Sequence, residues 1–352
     1  MTRRFRAPSV LLLALATGSV AAGQGAPPPG SASEAARTRG AIGADAPLGI
    51  ALEEVSYPHP VRFLPLQIEG QDLRMAYMDV APTGRSNGRA AVLLHGKNFS
   101  GDYWSGTIGV LAAAGYRVVV PDQIGFGKSS IAGIRYSFDL LAANTAKLLD
   151  ALGISRASVV GHSMGGMLAV RFARNFPERT ERLVLVNPIG LEDYRLQVPP
   201  LPFEAVYARE LANTDREKID AFFRRYFAVW RPEYERFTDR RTRVAGSGEY
   251  PRFARAAALT YEMIYEQPVR HEFGRIAVPT LLVIGQSDRT TVGRGLVPET
   301  ALKGLGDYPA LGKAAARDIP GSRLLELPGV GHLPHLEAAD KFHSVLVEFL
   351  GS

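Results

Sequence analysis

The sequence predicts an α/β protein whose mostly parallel sheet is flanked by helices. From residue 89 onward, short apolar segments rich in β-branched residues alternate with longer segments of helical periodicity, which is typical of a parallel sheet. The alternation is interrupted between residues 191 and 275, which indicates an insertion. The predicted strands of the alternating part are 90–94, 117–120, 157–160, 182–186, 279–284 and 323–327.

Helices are predicted between or after these strands, and a hairpin before them. Residues 61–80 contain two strand patterns joined at residues 69–72, which indicates an antiparallel hairpin at the edge of the sheet. The predicted helices are 103–114, 137–152, 165–176, 309–317 and 336–350.

The first 55 residues are predicted to lie outside this fold. Arg3, Arg4 and Arg6 precede an apolar run at 10–16 and a stretch of mostly small residues at 17–23. This pattern predicts a cleavable signal peptide over residues 1–23, too short for a membrane anchor, and hence a periplasmic or secreted protein. Residues 24–55 follow as a flexible leader rich in Gly, Ala, Pro and Ser.

Composition excludes some classes of partner and cofactor. The 352 residues contain no cysteine, so the chain has no disulfide and no thiolate metal site. The formal net charge is +6, and it falls to +3 without the three arginines of the signal peptide. Since the remaining cations form no concentrated stripe, nucleic-acid binding is not predicted, and a small molecule is the expected partner. The oligomeric state stays open.

The motif with the most chemical content is Gly-His-Ser-Met-Gly-Gly at residues 161–166. It lies between the predicted strand 157–160 and the predicted helix 165–176. Gly-x-Ser-x-Gly between a strand and a helix is the pattern of a nucleophile elbow, where small residues surround a strained serine. The motif predicts that Ser163 is a nucleophile.

A serine nucleophile needs a general base and an acid that orients the base. Asp288 follows the predicted strand 279–284, and His332 follows the strand 323–327. The order Ser163, Asp288, His332 is the one expected for a hydrolase with this elbow. A carboxylate in the loop after Asp288 and, for the base, His335 remain the alternatives.

The oxyanion hole is expected from two backbone N–H groups. One belongs to Met164, directly after the nucleophile, and the other to Lys97, in the loop after the strand 90–94. His95, His162 and Asp122 are predicted to pack and to hydrogen-bond near the site, without a catalytic role.

Together these motifs resemble the α/β-hydrolase-fold serine hydrolases that carry a helical cap. The resemblance covers roughly residues 60–350 and implies a mostly parallel eight-stranded sheet, with the cap inserted after the sixth strand. It implies a core of residues 56–190 and 276–352 and a cap of residues 191–275. It also implies that neither a metal nor an organic cofactor is required.

The cap and the loop after Asp288 are the expected walls of the substrate pocket. Thr214 and Glu217 form a capping box that begins a helix with aromatic residues at helical spacing. These rings either pack the cap onto the core or cover an apolar pocket over Ser163. Residues 289–306 either form one wall of the entrance or are surface loop. The predicted substrate-binding residues are Asn98, Phe99, Trp104, Phe223, Phe227 and Arg289.

The expected activity is hydrolysis of carboxylic esters or lactones with small to medium apolar acyl or aryl groups. Lys97-Asn98-Phe99 does not match the Gly/Pro-rich oxyanion loop of the carbon–carbon bond hydrolases of this fold. Acids and bases within the cap roughly balance, so a charged substrate is not indicated. The alternatives are an acyltransferase or perhydrolase with the same triad and, less favoured, a non-catalytic ligand-binding protein.

Overall fold

The computed structural model describes residues 46–352. The predicted signal peptide and most of the predicted leader lie outside these residues. Within them, no helix is both long and apolar enough to cross a membrane.

Within residues 46–352, eight strands form one mixed sheet, which confirms the predicted fold class. The strands are β1 Val61–Ile68, β2 Gln71–Val80, β3 Ala90–Leu94, β4 Arg117–Pro121, β5 Ala157–His162, β6 Thr180–Val186, β7 Thr280–Gly285 and β8 Arg323–Leu327. The strand order is β1-β2-β4-β3-β5-β6-β7-β8. β2 pairs antiparallel with β1 and β4, and every other pair is parallel.

Helices cover both faces of the sheet because neighbouring strand residues point to opposite sides. The helices of the core are α1 Ser105–Ala113, α2 Phe138–Ala151, α3 Met164–Asn175, α8 Tyr308–Asp318, α9 Pro334–Glu337 and α10 Ala339–Gly351. Val92 joins an apolar cluster with residues of α2, α3 and α8, while Leu93 joins another with residues of α1 and α10.

Four helices lie between β6 and β7, in the predicted cap segment. They are α4 Phe203–Ala212, α5 Arg216–Arg224, α6 Glu235–Ala245 and α7 Tyr250–Glu266. The predicted N-cap is displaced by one residue, because the Asp215 carboxylate, not the Thr214 hydroxyl, accepts the bond from the Lys218 N–H at 3.0 Å. α5 also ends before Tyr226 and Phe227, which therefore do not follow its helical spacing.

The packed part of the chain begins earlier than the predicted boundary at residue 56. Leu48, Ile50 and Leu52 are buried in a small apolar cluster with Val244 of α6 and Ile131 of the core. The Leu48 N–H also donates to the Arg243 carbonyl at 3.1 Å. Residues 46–55 are therefore not a flexible leader, because their leucines and isoleucine lose exposed apolar area against α6.

Candidate active site

Ser163 lies in a sharp turn between β5 and α3. Its φ of 57° and ψ of −120° place it in a region that non-glycine residues rarely occupy. Such a conformation costs about 1–3 kcal/mol and persists only where the surrounding structure enforces it. Here the Ser163 N–H donates to the Val186 carbonyl at 3.1 Å, and the Ser163 carbonyl accepts from the Gly166 N–H at 2.9 Å.

The glycines of the elbow are required by close backbone packing. A Cβ atom at Gly161 would collide with the Gly165 carbonyl oxygen, and one at Gly165 would collide with the Leu94 carbonyl oxygen. Any larger side chain would push α3 away from β3 and β5. The motif in the sequence is thus the pattern that this strand-to-helix turn needs.

The structure brings Asp288 and His332 into direct contact at the carboxyl ends of β7 and β8. The His332 Nδ1–H donates to Asp288 Oδ2 at 2.7 Å, and both side chains are almost completely buried. The bond fixes the tautomer, so Nε2 carries the free lone pair. Nε2 is buried and has no hydrogen-bond partner within residues 46–352, as a general base awaiting a proton requires.

Asp288 is held as an anion by its neighbours. Burial opposes its ionisation, but the charge of His332 and the hydrogen bonds from His332, Asn187 and Thr290 outweigh burial and lower the pKa of the carboxyl. Asn187 Nδ2 donates to Asp288 Oδ2 at 2.7 Å, and the Thr290 N–H donates to Oδ1 at 2.8 Å. The carboxylate can therefore stabilise positive charge on His332.

Asn187 is a site residue that the sequence analysis missed. It follows β6 with a φ of 38°, and Asn tolerates positive φ better than most residues. Its Oδ1 accepts from the Gly285 N–H at 2.8 Å, so it connects the ends of β6 and β7 while it holds Asp288. The signal in the sequence that could have indicated this role is the pair Asn187-Pro188 directly after a buried strand.

The loop after β3 approaches Ser163 closely at Gly96. A Cβ atom there would lie 3.1 Å from the Cβ of Ser163 and 3.0 Å from Nδ1 of His162. The next residue is Lys97, and neither its N–H nor that of Met164 has an acceptor among the hydrogen bonds of the described residues. Two unused N–H groups on either side of the serine suit an oxyanion hole.

Buried side chains connect this loop to the loop that carries His332. The Tyr103 hydroxyl accepts from the Gly96 N–H at 3.1 Å and donates to His162 Nδ1 at 2.9 Å. The opposite ring atom, His162 Nε2–H, donates to the His332 carbonyl at 2.8 Å. Burial, followed by the charge of His332, holds the pKa of His162 well below its usual value, so the ring is neutral as these bonds require.

His95 and Asp122 are placed as the sequence analysis expects. His95 Nδ1–H donates to the Gly96 carbonyl at 2.9 Å, and Nε2 accepts from the Gln123 N–H at 3.0 Å. Asp122 accepts from the N–H groups of Gly101 at 2.6 Å and Lys128 at 2.7 Å. Both side chains fix loops next to the elbow.

His332 is also bonded to the cap. The His332 N–H donates to the Tyr226 carbonyl at 2.6 Å, and the Tyr226 ring stacks on the imidazole with centroids 4.8 Å apart. The Tyr226 hydroxyl accepts from Asn98 Nδ2 at 2.8 Å. Glu337 accepts from the Gly331 N–H and the Ala228 N–H at 3.0 and 2.8 Å. The cap thereby touches both loops of the site.

A cavity of about 380 Å³ opens over Ser163 between the core and the cap. Four of the predicted substrate-binding residues line it: Asn98, Phe99, Phe223 and Arg289. Residues 290–294 and Leu296 line it too, so part of the long loop after Asp288 forms a cavity wall. Whether these residues contact a substrate remains a prediction.

Trp104 and Phe227 were also predicted to bind substrate, but neither lines this cavity. Trp104 is fully buried in a 3-10 turn before α1, with its ring centroid 4.3 Å from that of His335. Phe227 stacks on Tyr234 with centroids 4.0 Å apart. It points away because α5 has already ended at Arg224. Both rings pack the structure around the cavity.

The charge of the cavity lining also differs from the expectation. The sequence balance of the cap did not indicate a charged ligand, yet the lining contains one acid, Glu210, and six cations. Burial lowers the pKa of the Lys97 ammonium, although Glu210 partly opposes this effect. The cations that line the cavity are Lys97, Arg209, Arg225, Arg241, Arg289 and Arg294. The fold brings them together from distant parts of the sequence.

These features define a hydrolase of the α/β-hydrolase fold, and the chain belongs to that family. The model of the alpha/beta hydrolase fold family matches residues 91–339, from β3 to α10. Among solved structures, a probable hydrolytic enzyme from Pseudomonas aeruginosa PAO1 is 46% identical, with a TM-score of 0.84 over 87% of this chain and 99% of that one.

Two curated relatives are named as hydrolases of oxo-dienoates. A 2-hydroxy-6-oxo-6-phenylhexa-2,4-dienoate hydrolase from Burkholderia cepacia is 30% identical over 75% of this chain and 88% of its own length. A 2-hydroxy-6-oxononadienedioate/2-hydroxy-6-oxononatrienedioate hydrolase from Burkholderia vietnamiensis is 31% identical over 80% of this chain and 92% of its own length.

Proposed function

We propose that the protein is a serine hydrolase that cleaves carboxylic esters or lactones through Ser163, His332 and Asp288. The observation that carries the proposal is the buried His332–Asp288 pair, whose Nε2 has no partner within residues 46–352. The strained elbow of Ser163 and the free N–H groups of Lys97 and Met164 support it.

Each group has a defined task in this reaction. Ser163 Oγ attacks the carbonyl carbon while its proton passes to His332 Nε2, and the N–H groups of Lys97 and Met164 stabilise the oxyanion. The bond from carbon to the leaving oxygen then breaks, and His332 returns the proton to that oxygen. Water attacks the acyl-enzyme, gives a proton to His332, and the acid leaves as Ser163 regains its hydrogen.

The cavity supports an acyl or aryl group of small to medium size. Its volume of about 380 Å³ is near the lower end of the range for ligand sites. Apolar side chains line the same cavity as Ser163, among them Phe99, Ile189, Ile219 and Phe223. Transfer to an alcohol or to peroxide instead of water uses the same groups, and product analysis separates these outcomes.

Hydrolysis of a 2-hydroxy-6-oxo-dienoate is the second candidate, favoured by the names of the two curated relatives. Their 6-oxo group has carbon on both sides, so hydrolysis at that carbonyl breaks a carbon–carbon bond. Lys97-Asn98-Phe99 still lacks the Gly/Pro-rich pattern expected for such an oxyanion loop. The basic lining would accommodate the carboxylate of such a compound.

The test compares ester and carbon–carbon cleavage in one enzyme. A p-nitrophenyl ester series from acetate to long acyl chains and 2-hydroxy-6-oxo-6-phenylhexa-2,4-dienoate are offered to the wild type and to Ser163→Ala. Ester turnover that peaks at one chain length and is lost in Ser163→Ala supports the proposal. Preferential cleavage of the dienoate supports the second candidate, and no fluorophosphonate labelling of Ser163 refutes both.

We also propose that the protein is exported, since residues 1–23 have the pattern of a signal peptide. N-terminal sequencing of the protein from the periplasmic fraction or medium of expressing cells tests this. A start between residues 22 and 25 agrees with export, and a full-length cytoplasmic chain contradicts it.

A further inference from the structure

Within residues 46–352, the excess positive charge is concentrated at the cavity over Ser163. Residues 46–352 contain 36 Lys and Arg against 33 Asp and Glu, a net charge of +3. The cavity lining alone contains six cations and one acid, a net charge of +5. The rest of the described part therefore carries −2, so the excess at the cavity is not a property of the surface as a whole.

Half of these cations already have a carboxylate partner. Glu210 lies 3.9 Å from the Lys97 ammonium and 3.7 Å from the Arg241 guanidinium. Arg294 pairs with Glu299 at 2.8 Å. These three residues stabilise the walls of the cavity and need no ligand.

The other three cations have no carboxylate partner within residues 46–352. Arg209 belongs to α4, Arg225 follows α5, and Arg289 follows β7, so they come from three separate segments around the opening. All three are exposed, and Arg289 donates only to the carbonyls of Gln286 and Asp288. The Arg209 guanidinium lies against Gly295, which brings the cap to the loop opposite.

We infer that the hydrolase selects substrates that carry a carboxylate at the end remote from the scissile carbonyl. This inference rests on the proposed function. Apolar side chains near Ser163 would hold the hydrocarbon part, while Arg209, Arg225 and Arg289 at the opening would bind the anion. Cations on opposite walls of one cleft focus the field there and favour an anionic ligand.

The test uses three p-nitrophenyl esters of matched length with the full chain. Mono(p-nitrophenyl) adipate carries a terminal carboxylate, p-nitrophenyl hexanoate is neutral, and p-nitrophenyl 6-aminohexanoate is cationic. We expect kcat/KM at low salt to be about fivefold to tenfold higher for the adipate than for the hexanoate, and lowest for the cation. The preference should decrease in 0.5 M NaCl because exposed charges are screened.

The double variant Arg209→Gln/Arg225→Gln removes two of the unpaired cations. In this variant the ratio of kcat/KM for the adipate to kcat/KM for the hexanoate should fall to about one or two. Arg216→Gln/Arg231→Gln is the matched control, since it removes the same charge from cap residues that do not line the cavity. A ratio of one or less in the wild type, or an equal ratio in the wild type and the Arg209/Arg225 variant, overturns the inference.

Failure of the proposed function gives a different result. If the wild type hydrolyses no ester, binding of the same three compounds to Ser163→Ala is measured by calorimetry. Tighter binding of the adipate that is lost in Arg209→Gln/Arg225→Gln retains the anion site and refutes only the ester chemistry. Equal or absent binding of the three compounds overturns the inference.

Discussion

The two halves of the site, one from the core and one from the cap, are built differently. In the core half, Ser163, Asp288 and His332 are buried and held by several hydrogen bonds at the ends of neighbouring parallel strands. In the cap half, Arg209 and Arg225 are exposed and have no carboxylate partner in the described structure. The sheet therefore holds the proposed catalytic residues in place, whereas the exposed arginines of the cap are groups through which we propose that the substrate is selected.

The largest expected effect comes from the core half, with Asp288→Asn. The amide keeps the shape but places no anion beside His332, and it favours the wrong imidazole tautomer. We expect kcat to decrease by about 10⁴-fold, as in other triads. Ester hydrolysis at saturating substrate is the measurement. Asp307→Asn is the control, because the Asp307 carboxylate accepts from the Ala310 N–H at the start of α8 and is not bonded to Ser163, Asp288 or His332 within residues 46–352. A loss below tenfold in Asp288→Asn would mean that Asp288 is not the orienting acid.

The next effect tests whether the core half is fixed as one unit. Tyr103→Phe removes the hydroxyl that accepts from the Gly96 N–H and donates to His162. Two loops then lose one buried connection, which is worth about 1–3 kcal/mol. We expect kcat to decrease by about tenfold or more, with little change in KM, because the oxyanion loop is misplaced.

Tyr116→Phe is the matched control for that variant. Tyr116 is also buried, but it precedes β4 and contacts Arg89 at the opposite end of the strands from Ser163. A change in KM without a change in kcat, or an equal kcat in both variants, would show that the Tyr103–His162 hydrogen bond does not position the reacting groups.

A third prediction concerns the pH dependence of the core half. His335 is buried beside His162, both its ring nitrogens lack partners within residues 46–352, and burial holds its pKa well below the usual value. Its folded pKa thus lies below the unfolded value near 6.5, so only the unfolded chain takes up the proton as pH falls below about 6.5. As the pH falls, His335 therefore lowers the free energy of unfolding, until the pH reaches the pKa of His335 in the folded state.

His335→Leu should remove this contribution. At pH 7.5 the variant should unfold with nearly the same free energy as the wild type, since no hydrogen bond is lost. Between pH 6 and 5 the wild type should lose up to about 1.4 kcal/mol more per pH unit than the variant. Urea unfolding at a series of pH values measures both slopes. Parallel slopes would mean that His335 takes up its proton equally well in the folded state.

The sequence predicted the core half well because its signals are local. A strained elbow needs Gly161 and Gly165 next to Ser163, and short apolar strands place Asp288 and His332 at one edge of the sheet. Asn187 was missed because its role depends on the ends of β6 and β7 meeting in space.

The cap half was predicted less well because its contacts depend on where helices end. Phe227 was among the predicted substrate-binding residues, but α5 ends at Arg224 and that ring stacks on Tyr234. Charge balance along residues 191–275 did not indicate that Arg209 and Arg225 would meet Arg289 at one opening. The position of the Phe227 ring and the grouping of the arginines both depend on tertiary packing, which cannot be predicted from the periodicity of the sequence.

The smallest expected effect is that of Tyr226→Phe, which tests whether Tyr226 acts with the cap half or with the core half of the site. Tyr226→Phe keeps the ring that stacks on His332 but removes the acceptor for Asn98 Nδ2. Because one partly exposed hydrogen bond is worth about 0.5–1.5 kcal/mol, we expect KM to rise about twofold to tenfold while kcat stays within about twofold. Tyr265→Phe is the control, since its hydroxyl donates to the Val198 carbonyl at 2.8 Å and its ring does not line the cavity. A fall in kcat with unchanged KM would place Tyr226 with the core half, because the bond would then orient His332 or the oxyanion loop instead of shaping the pocket.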